Sequence, residues 1–275
     1  MVARARRILQ ERSIGHLGTL DPAASGVLPL LLGRLTRLAQ FFMHRPKVYE
    51  GEIYLGVATD TYDASGVPQG VASDQIPPLE AIEAALARLR GPIEQRPPAF
   101  SAKKIAGVRA YKLARTQQAV ELPLQSVTVE EFSPLRLEGH ILQFRVRCST
   151  GTYVRSLAHD LGQHLGIGAH LQRLRRTAVG EFEIQQAITL ATLEQRLAAG
   201  DLHEWLVPPA LLLPEWPAVF APPETANRLL QGRAVNLPEF SQAPRVRIFA
   251  HDESLLAIGQ RIAGTLFQPK IVFPP

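Results

Sequence analysis

The segment from 16 to 26 constrains the fold more than any other part of the chain, because it sets one aspartate among residues that bend the backbone. Gly18 and Gly26 tolerate positive φ angles, and Pro22 fixes its own φ and lacks an amide hydrogen. The residue before a proline is driven away from helical geometry, so we expect Asp21 on a stiff, extended turn whose backbone aims the carboxylate. A competing interpretation makes Asp21 the cap of a helix in the apolar run at 27–33.

The composition bounds the class of protein. The chain has 275 residues and 46% hydrophobic content, which is enough for one large domain and a small second one. Thirty Lys and Arg against 25 Asp and Glu suit a polyanionic partner without requiring one. The single cysteine, Cys148, excludes an internal disulfide and favours the cytoplasm. We find no apolar run of membrane-spanning length and no signal-peptide core, so we expect no membrane association.

Hydrophobic periodicity predicts mixed helices and strands in the first two hundred residues. Apolar residues at helical spacing predict helices over 2–12, 78–89 and 152–165. Alternation of apolar and polar residues predicts strands over 48–57, 127–132 and 142–148. The pattern is typical of an α+β fold.

The composition changes after Asp201, where six prolines between 208 and 223 make a long helix untenable. Beyond them, short apolar runs predict strands over 245–250, 255–258 and 270–273. We therefore expect a domain boundary here, followed by a small β-rich module.

Five sequence blocks carry a more specific signal. They are His16-x-Gly18-Thr19-Leu20-Asp21-Pro22-x-Ala24-x-Gly26; Lys47-x-Tyr49 leading to Thr59-Asp60-Thr61-x-Asp63-x-x-Gly66; Pro97-Pro98-x-Phe100-Ser101 continuing to Gly107-x-Arg109-Ala110-Tyr111; Ser149-x-Gly151-Thr152-Tyr153-x-Arg155; and Gly168-Ala169-His170-Leu171-x-x-Leu174-Arg175-Arg176. In this order the blocks resemble the bacterial tRNA pseudouridine-55 synthases, the TruB family. The resemblance covers roughly two-thirds of the chain.

The resemblance implies a fold and an activity. The fold is α+β, with a pseudouridine-synthase-type catalytic domain over residues 1–205, whose mixed, largely antiparallel sheet is flanked by helices, and a small PUA-like RNA-binding domain over 214–275. The activity is isomerisation of uridine 55 in the T-arm loop of tRNA to pseudouridine. Because this reaction involves no redox change and no energy input, we expect no cofactor. The implied partner is the tRNA T-arm stem-loop, and we expect a cytoplasmic monomer.

Three residues match the family's catalytic positions. Asp21 supplies an anion that acts as nucleophile or base, and Arg155 keeps that anion charged against the effect of burial. Tyr49 stacks on the base, although an aromatic residue at an inward strand position is most often plain core. The sequence leaves open whether Asp21 attacks the sugar, attacks the base or abstracts a proton.

The resemblance also implies residues that bind substrate. His16 fills the space left by a uridine flipped out of its stack, Leu174 packs beside the bound base, and Tyr153 is a further substrate-binding residue. The interleaved basic and aromatic residues Lys103, Lys104, Arg109 and Tyr111 are typical of an RNA-facing loop, and Arg175 and Arg176 are candidate phosphate contacts. The plainer alternatives are a turn histidine, a core leucine and solvated basic faces.

Other chemistries are disfavoured. Ser101-Ala102-Lys103-Lys104 fits the S-x-x-K pattern of acyl-transfer enzymes without its companion motifs. The setting of Asp60 and Asp63 favours a hydrogen-bonded turn over a cation site. The histidines lack zinc spacing, and we find no nucleotide-binding fingerprint.

Two alternatives and one departure remain. The alternatives are a non-catalytic RNA-binding or tRNA-folding chaperone, and a guide-RNA-dependent relative, which the Gly107 to Tyr111 block and the lack of a long basic tail disfavour. The departure is that the family pattern begins upstream with a strand and a Lys-Pro-x-Gly-x-x-Ser-like segment, whereas here the Asp21 block starts fifteen residues after Met1. Two explanations stay open: the sequence starts at an internal position, or the protein lacks an edge of its catalytic sheet, which would expose backbone donors and acceptors and put activity in question.

Overall fold

A computed structural model describes residues 1–98, 122–200 and 205–274, together with the backbone of two short paired strands at 104–105 and 108–109. The α-helices are α1 (Val2–Leu9), α2 (Ala39–Phe42), α3 (Leu79–Ala87), α4 (Val154–Leu165), α5 (Leu190–Ala199) and α6 (Pro223–Leu230). Short 3-10 helices span Gly33–Leu38, Ile184–Gln186, Pro209–Leu211 and Pro238–Phe240.

The strands follow in chain order. They are β1 (Ile14–His16), β2 (Ser25–Gly26), β3 (Leu30–Leu32), β4 (Lys47–Leu55), β5 (Ala58–Thr59), β6 (Pro68–Gln69), β7 (Gly91–Gln95), β8 (Lys104–Ile105), β9 (Val108–Arg109), β10 (Gln125–Glu138), β11 (Ile141–Cys148), β12 (Ala169–Val179), β13 (Phe182–Glu183), β14 (Ala218–Phe220), β15 (Val235–Asn236), β16 (Arg245–Phe249), β17 (Leu255–Ala263) and β18 (Leu266–Val272).

A seven-stranded sheet forms the larger part of the molecule, in the order β13-β12-β4-β11-β10-β7 with β2 beside β12. All of its pairings are antiparallel except the parallel contact between β2 and β12. The predicted mixed, largely antiparallel sheet is therefore confirmed. Strand β12 is the one that positions the site, because it pairs with β4 on one edge and holds β2 on the other.

Two helices cover one face of this sheet. In β11 buried residues alternate with less buried ones, so Phe144 and Val146 point to the same side. Helix α3 places Ile82 and Leu86 against that side, and α4 adds Leu157, which is fully buried like the others. Burying side chains of this size stabilises the fold by roughly 1.5–3 kcal/mol each. The layer fixes the start of α4 relative to the sheet.

The β-rich module predicted near the C-terminus is present as a five-stranded sheet in the order β14-β16-β17-β18-β15. Its inner face shares one core with the N-terminal part, since Leu17 and Val27 cluster with Ile258, Ile271 and Phe273. The two residues from the N-terminal part flank the turn that carries the candidate aspartate. The C-terminal sheet therefore packs against the residues on both sides of that turn and supports it.

Most predicted elements are confirmed with shifted ends, and one is wrong. Helices α1, α3 and α4 and strands β4, β10 and β11 occupy the predicted places. The alternative helix over 27–33 is absent; residues 30–32 form β3, which pairs with β1, and a 3-10 helix follows. Within the described ranges, no helix has the length and apolar character needed to cross a bilayer.

Candidate active site

The turn that carries Asp21 has the backbone geometry expected from its sequence. Gly18 and Gly26 have φ angles of 123° and 110°, and the amide of Ala24 donates to the carbonyl of Asp21 at 2.9 Å. Gly26 then pairs in parallel with Arg176 in β12, so the far end of the turn is tied to the main sheet. The turn is short and anchored at both ends, and its carboxylate is held at the surface of the sheet.

Arg176 lies beneath this turn and acts as an internal anchor. Its side chain is fully buried, and its guanidinium donates to the carbonyls of Val27 at 2.9 Å, Thr19 at 3.3 Å and Gly18 at 3.1 Å. These carbonyls stand on both sides of Asp21 in sequence. The predicted phosphate contact at Arg176 is wrong for this geometry, because a side chain with no exposed surface cannot reach an RNA backbone.

Arg155 binds the Asp21 carboxylate directly. Its Nε atom lies 2.8 Å from Oδ2, and its Nη2 donates to Oδ1 at 3.2 Å. The arginine side chain is 8% exposed, whereas the aspartate side chain is 41% exposed. A buried cation therefore faces a carboxylate that a substrate can still reach. Charge-assisted hydrogen bonds of this kind are shorter and stronger than neutral ones.

Asp63 is a second carboxylate on the same guanidinium, and sequence reasoning did not assign it to the site. Nη1 of Arg155 lies 3.3 Å from Oδ2 of Asp63 and 3.4 Å from the carbonyl of Thr61. Oδ1 of Asp63 accepts from Thr61 Oγ1 at 2.8 Å and from the amide of Ser65 at 3.0 Å. The predicted hydrogen-bonded turn is confirmed, and it holds Arg155 from the side away from Asp21.

These hydrogen bonds outweigh desolvation at Asp63. Burial acts to raise the pKa of this carboxyl, but the hydrogen bonds from Ser65 and Thr61, with the charge of Arg155, leave its pKa below the ordinary value. Asp63 is therefore a fixed anion at neutral pH. It neutralises part of the Arg155 charge while leaving the face toward Asp21 open.

The start of helix α4 is fixed by a buried glutamine. The amide of Tyr153 donates to Gln95 Oε1 at 2.8 Å, and Gln95 Nε2 donates to the carbonyl of Tyr153 at 3.1 Å. Gln95 is 1% exposed, and Tyr153 is the residue just before the helix. This reciprocal pair sets where Arg155 leaves the helix. The Tyr153 side chain is half-buried.

Tyr49 lies in β4 directly opposite Arg176 in β12 and is 8% exposed. Burial raises the pKa of its phenol, and Cys148 and Asp21 act in the same direction, while Arg176 acts against them through its charge and a hydrogen bond. The hydroxyl is therefore protonated at neutral pH.

Lys47, two residues earlier, is buried below Tyr49. Its ammonium donates to the carbonyls of Arg45 at 3.0 Å and Met43 at 3.4 Å, and burial, followed by the charge of Arg176, lowers its pKa. Opposite it in β11, burial raises the pKa of Cys148 to about 11. Both residues are therefore part of the support under the site rather than its surface.

The remaining predicted substrate-binding residues occupy different positions. His16 is half-buried in β1, and its Nδ1 accepts from the amide of Gly18 at 3.3 Å. Leu174 is half-buried in β12 opposite Gly51, and Arg175 is exposed beside it. Lys103 and Tyr111 lie outside the described residues. Only the backbone is described for Lys104 and Arg109, which face each other across strands β8 and β9.

Asp21, Asp63, Arg155, Leu171 and Leu174 line a shallow depression at the end of the sheet. The depression offers one accessible carboxylate, a buried cation and an apolar wall. In the described part of the chain, no three His, Cys, Asp or Glu residues come together as metal ligands. The arrangement can hold a flat polar ring beside an ionised acid.

Comparison with known proteins identifies relatives of this arrangement. The profile of the TruB family pseudouridylate synthase N-terminal domain matches residues 6–154, more than half of the chain, and that of the tRNA pseudouridylate synthase B C-terminal domain matches residues 155–214. The tRNA pseudouridine synthase B of Solibacter usitatus (strain Ellin6076) is 46% identical over 275 residues, covering 99% of this chain and 94% of the relative. That of Streptococcus pneumoniae serotype 4 (strain ATCC BAA-334 / TIGR4) is 39% identical over 280 residues, with the same coverage.

Solved structures share the fold. A chain from the structure of an H/ACA RNP bound to a substrate RNA containing 2'-deoxyuridine superposes with a TM-score of 0.73 at 25% identity, covering 100% of this chain and 80% of that one. A chain from a Cbf5-Nop10-Gar1 complex gives a TM-score of 0.72 at 26% identity, also covering 100% and 80%.

Proposed function

This chain belongs to the TruB family of pseudouridylate synthases, and from that premise we propose that it isomerises uridine 55 in the T-arm loop of tRNA to pseudouridine. The observation that carries the proposal is the ion pair between Asp21 and the buried Arg155 at the rim of the depression. The relative from Solibacter usitatus, named a tRNA pseudouridine synthase, is 46% identical to this chain, against 25% for the chain from the H/ACA RNP, which favours a free tRNA over a guided RNA as the substrate.

The reaction breaks the bond between ribose C1′ and uracil N1 and forms a bond between C1′ and C5. The proton lost from C5 is balanced by the proton gained at N1, so the reaction needs no oxidant and no phosphate donor. What it needs is an anion near the sugar and the base, which acts as nucleophile or base. Asp21 is that anion, because its carboxylate is accessible and Arg155 stabilises its charge.

We assign Tyr49, which lies on β4 opposite Arg176 of β12, to the inner side of the site. Its ring is almost fully buried and its hydroxyl stays protonated, so it can stack on uracil and donate or relay a hydrogen bond. Arg176 pairs with Tyr49 across the strands and donates a hydrogen bond to the carbonyl of Gly18, so it fixes Tyr49 relative to the turn that carries Asp21. The acid and the phenol are thus positioned by the same buried guanidinium.

A uridine stacked inside a folded RNA loop cannot bring its reacting atoms to a carboxylate on the protein surface, so the target uridine must rotate out of the stack to reach Asp21. His16 lies upstream on the same segment as Asp21, and we assign it to the space that the base leaves. Leu174 supplies an apolar wall for the flipped ring.

Exposed arginines beside the depression are the proposed phosphate contacts. Arg173, with 77% of its side chain exposed, and Arg175 lie on β12, next to the wall residue Leu174. We assign the sequence from Lys103 to Tyr111 to further contacts with the T-arm stem, and residues 214–275 to a PUA-like RNA-binding domain attached to a catalytic domain over 1–205. Phosphate contacts set register and affinity rather than chemistry.

The proposal is tested with an unmodified tRNA transcript that carries 5-tritiated uridine. We expect release of one equivalent of tritium per tRNA, and no release from a matched transcript with cytidine at position 55. Absence of release from the first transcript contradicts the activity, and release from the second contradicts the site.

The same material tests the RNA-binding alternative. Under that alternative, tRNA binds without release of tritium, and charge reversal at Lys103, Lys104 and Arg109 weakens binding with a shallower salt dependence. Under the proposal, the same charge reversals raise KM for tRNA, and the parent chain turns over.

A further inference from the structure

Tyr62 lies between Thr61 and Asp63, the two residues whose oxygens contact Arg155 beside Asp21. The carbonyl of Thr61 and the carboxylate of Asp63, its two chain neighbours, both face Nη1 of Arg155. Tyr62 itself has a φ of 63°, in the left-handed region that glycine tolerates and bulky side chains rarely adopt. Its carbonyl accepts from the amide of Leu171 at 2.9 Å. A tyrosine therefore occupies a backbone position suited to glycine.

The ring of Tyr62 stacks on His159. The ring centroids are 3.9 Å apart and the planes differ by 16°. His159 lies in α4 four residues after Arg155, so both side chains project from the same face of the helix, one turn apart. The stack therefore joins the turn 61–63 to the helix that carries the active-site arginine.

The environment of His159 suits packing better than proton transfer. Burial lowers the pKa of its imidazole, so the ring is neutral at neutral pH. Its Nδ1 atom is buried and has no hydrogen-bond partner among the described residues. A neutral ring with an unused nitrogen, placed flat against a phenol, contributes contact area and orientation.

We propose that the stack of Tyr62 on His159 is a positioning device, which locks the turn 61–63 against helix α4 so that Arg155 stays aimed at Asp21. The inference rests on the proposed function, since it concerns the rate of that reaction. Tyr62 and His159 are positioning residues: they act through Arg155 and Asp63 and touch neither of the reacting carboxylate oxygens. The contact of the ring with His159 offsets part of the cost of the left-handed backbone at Tyr62.

The first test compares Tyr62→Gly with Tyr62→Phe. Glycine removes the ring and relieves the left-handed backbone, so the variant stays folded, whereas phenylalanine keeps the ring and loses only the hydroxyl. We expect Tyr62→Gly to lower kcat about tenfold or more with KM for tRNA unchanged, because small misplacements of a catalytic group are costly. We expect Tyr62→Phe to keep the parent kcat.

The second test removes the other ring. His159→Ala should lower kcat as Tyr62→Gly does, and the double variant should be no slower than either single variant, since the stack is lost only once. His159→Phe keeps a ring and should retain the parent kcat. Parent-like kcat in Tyr62→Gly, a raised KM in place of a lowered kcat, or additive losses in the double variant would each overturn the inference.

A readout without turnover separates this inference from the proposed function. In the NMR titration of His159, Tyr62→Gly should move its pKa upward toward the ordinary histidine value, because the ring that buries the imidazole is gone. If the parent releases no tritium, the proposed function fails, while this titration still reports whether the stack exists. An unchanged His159 titration overturns the stack whatever the activity.

Discussion

Gly26 lies against the backbone of Arg176 so closely that a β-carbon on the glycine would stand 2.1 Å from the arginine's carbonyl oxygen and 2.6 Å from its amide nitrogen. At the same time the amide of Val27 donates to that carbonyl, and the Arg176 side chain reaches back to the carbonyl of Val27. Arg176 thus holds the end of the turn that carries Asp21 by both its backbone and its side chain. The position of Asp21 depends on this contact.

Gly26→Ala should therefore disrupt the turn. The substitution adds a steric clash to an unfavourable φ, and we expect a loss of about 3 kcal/mol or more in the free energy of unfolding together with loss of turnover. Gly70→Ala is the matched control, since Gly70 also has a positive φ of 76° but has no atom within 4 Å of an added β-carbon. The control should lose about 1 kcal/mol. Equal losses in thermal unfolding would contradict the close contact.

Replacing Arg176 by methionine should leave buried carbonyls without donors. Each buried acceptor left unsatisfied costs about 1–3 kcal/mol, so we expect Arg176→Met to lower the free energy of unfolding by several kcal/mol. Arg175→Met, at the exposed neighbour, should leave unfolding unchanged within about 0.5 kcal/mol and weaken tRNA binding instead. Urea unfolding and tRNA titrations measure both. A stable Arg176→Met with weakened tRNA binding would restore the phosphate role that burial argues against.

The lowered pKa of Asp63 predicts that the free energy of unfolding decreases in acid. Because its pKa in the folded protein lies below the ordinary value of 3.8, the unfolded chain binds a proton more readily, and stability falls as pH drops from just above 3.8 through the folded pKa. Asp63→Asn should flatten this part of the profile. Unfolding free energies between pH 2.5 and 7 test it, and an unchanged slope in the variant would assign the acid sensitivity to other carboxylates.

The raised pKa of Asp160 predicts the opposite pH dependence of stability. Burial raises its pKa from 3.8 to about 6, so the folded protein binds the proton more tightly and stability decreases as pH rises from about 4 to about 6. Asp160→Asn, which cannot ionise, should be more stable than the parent at pH 7 by about 1–3 kcal/mol, and close to it at pH 4. Thermal unfolding of Asp160→Asn and of the parent at pH 7 and pH 4 measures this difference. Equal stability at both contradicts the raised pKa.

The backbone of the site was predictable because glycine and proline act locally. The dihedral limits of Gly18, Pro22 and Gly26 define the turn around Asp21 whatever surrounds it, and the turn is found as expected. The apolar run at 27–33 was ambiguous because its structure depends on a partner strand elsewhere in the chain rather than on local dihedral limits. Leu30 to Leu32 become a strand only because β1 offers them a partner, and short apolar runs read equally well as helix.

The support of the site was not predictable from the sequence. An arginine that follows other arginines is typical of a phosphate contact, and only the packing of β2 on β12 shows that the Arg176 side chain turns inward to backbone carbonyls. The ion pair of Arg155 with Asp63 joins residues 92 positions apart, and Gln95 meets Tyr153 across 58 positions. Contacts of this length follow from the sheet order, which local patterns do not specify.

Tritium release from 5-tritiated uridine in tRNA by Asp21→Asn measures whether the Asp21 carboxylate carries the reaction. The variant keeps the shape of the side chain and removes its charge, and Asp74→Asn, at an exposed position away from the depression, is its matched control. We predict that Asp21→Asn loses at least about a thousandfold in kcat and still binds tRNA, while the control matches the parent. Release by Asp21→Asn at the parent rate would contradict the account.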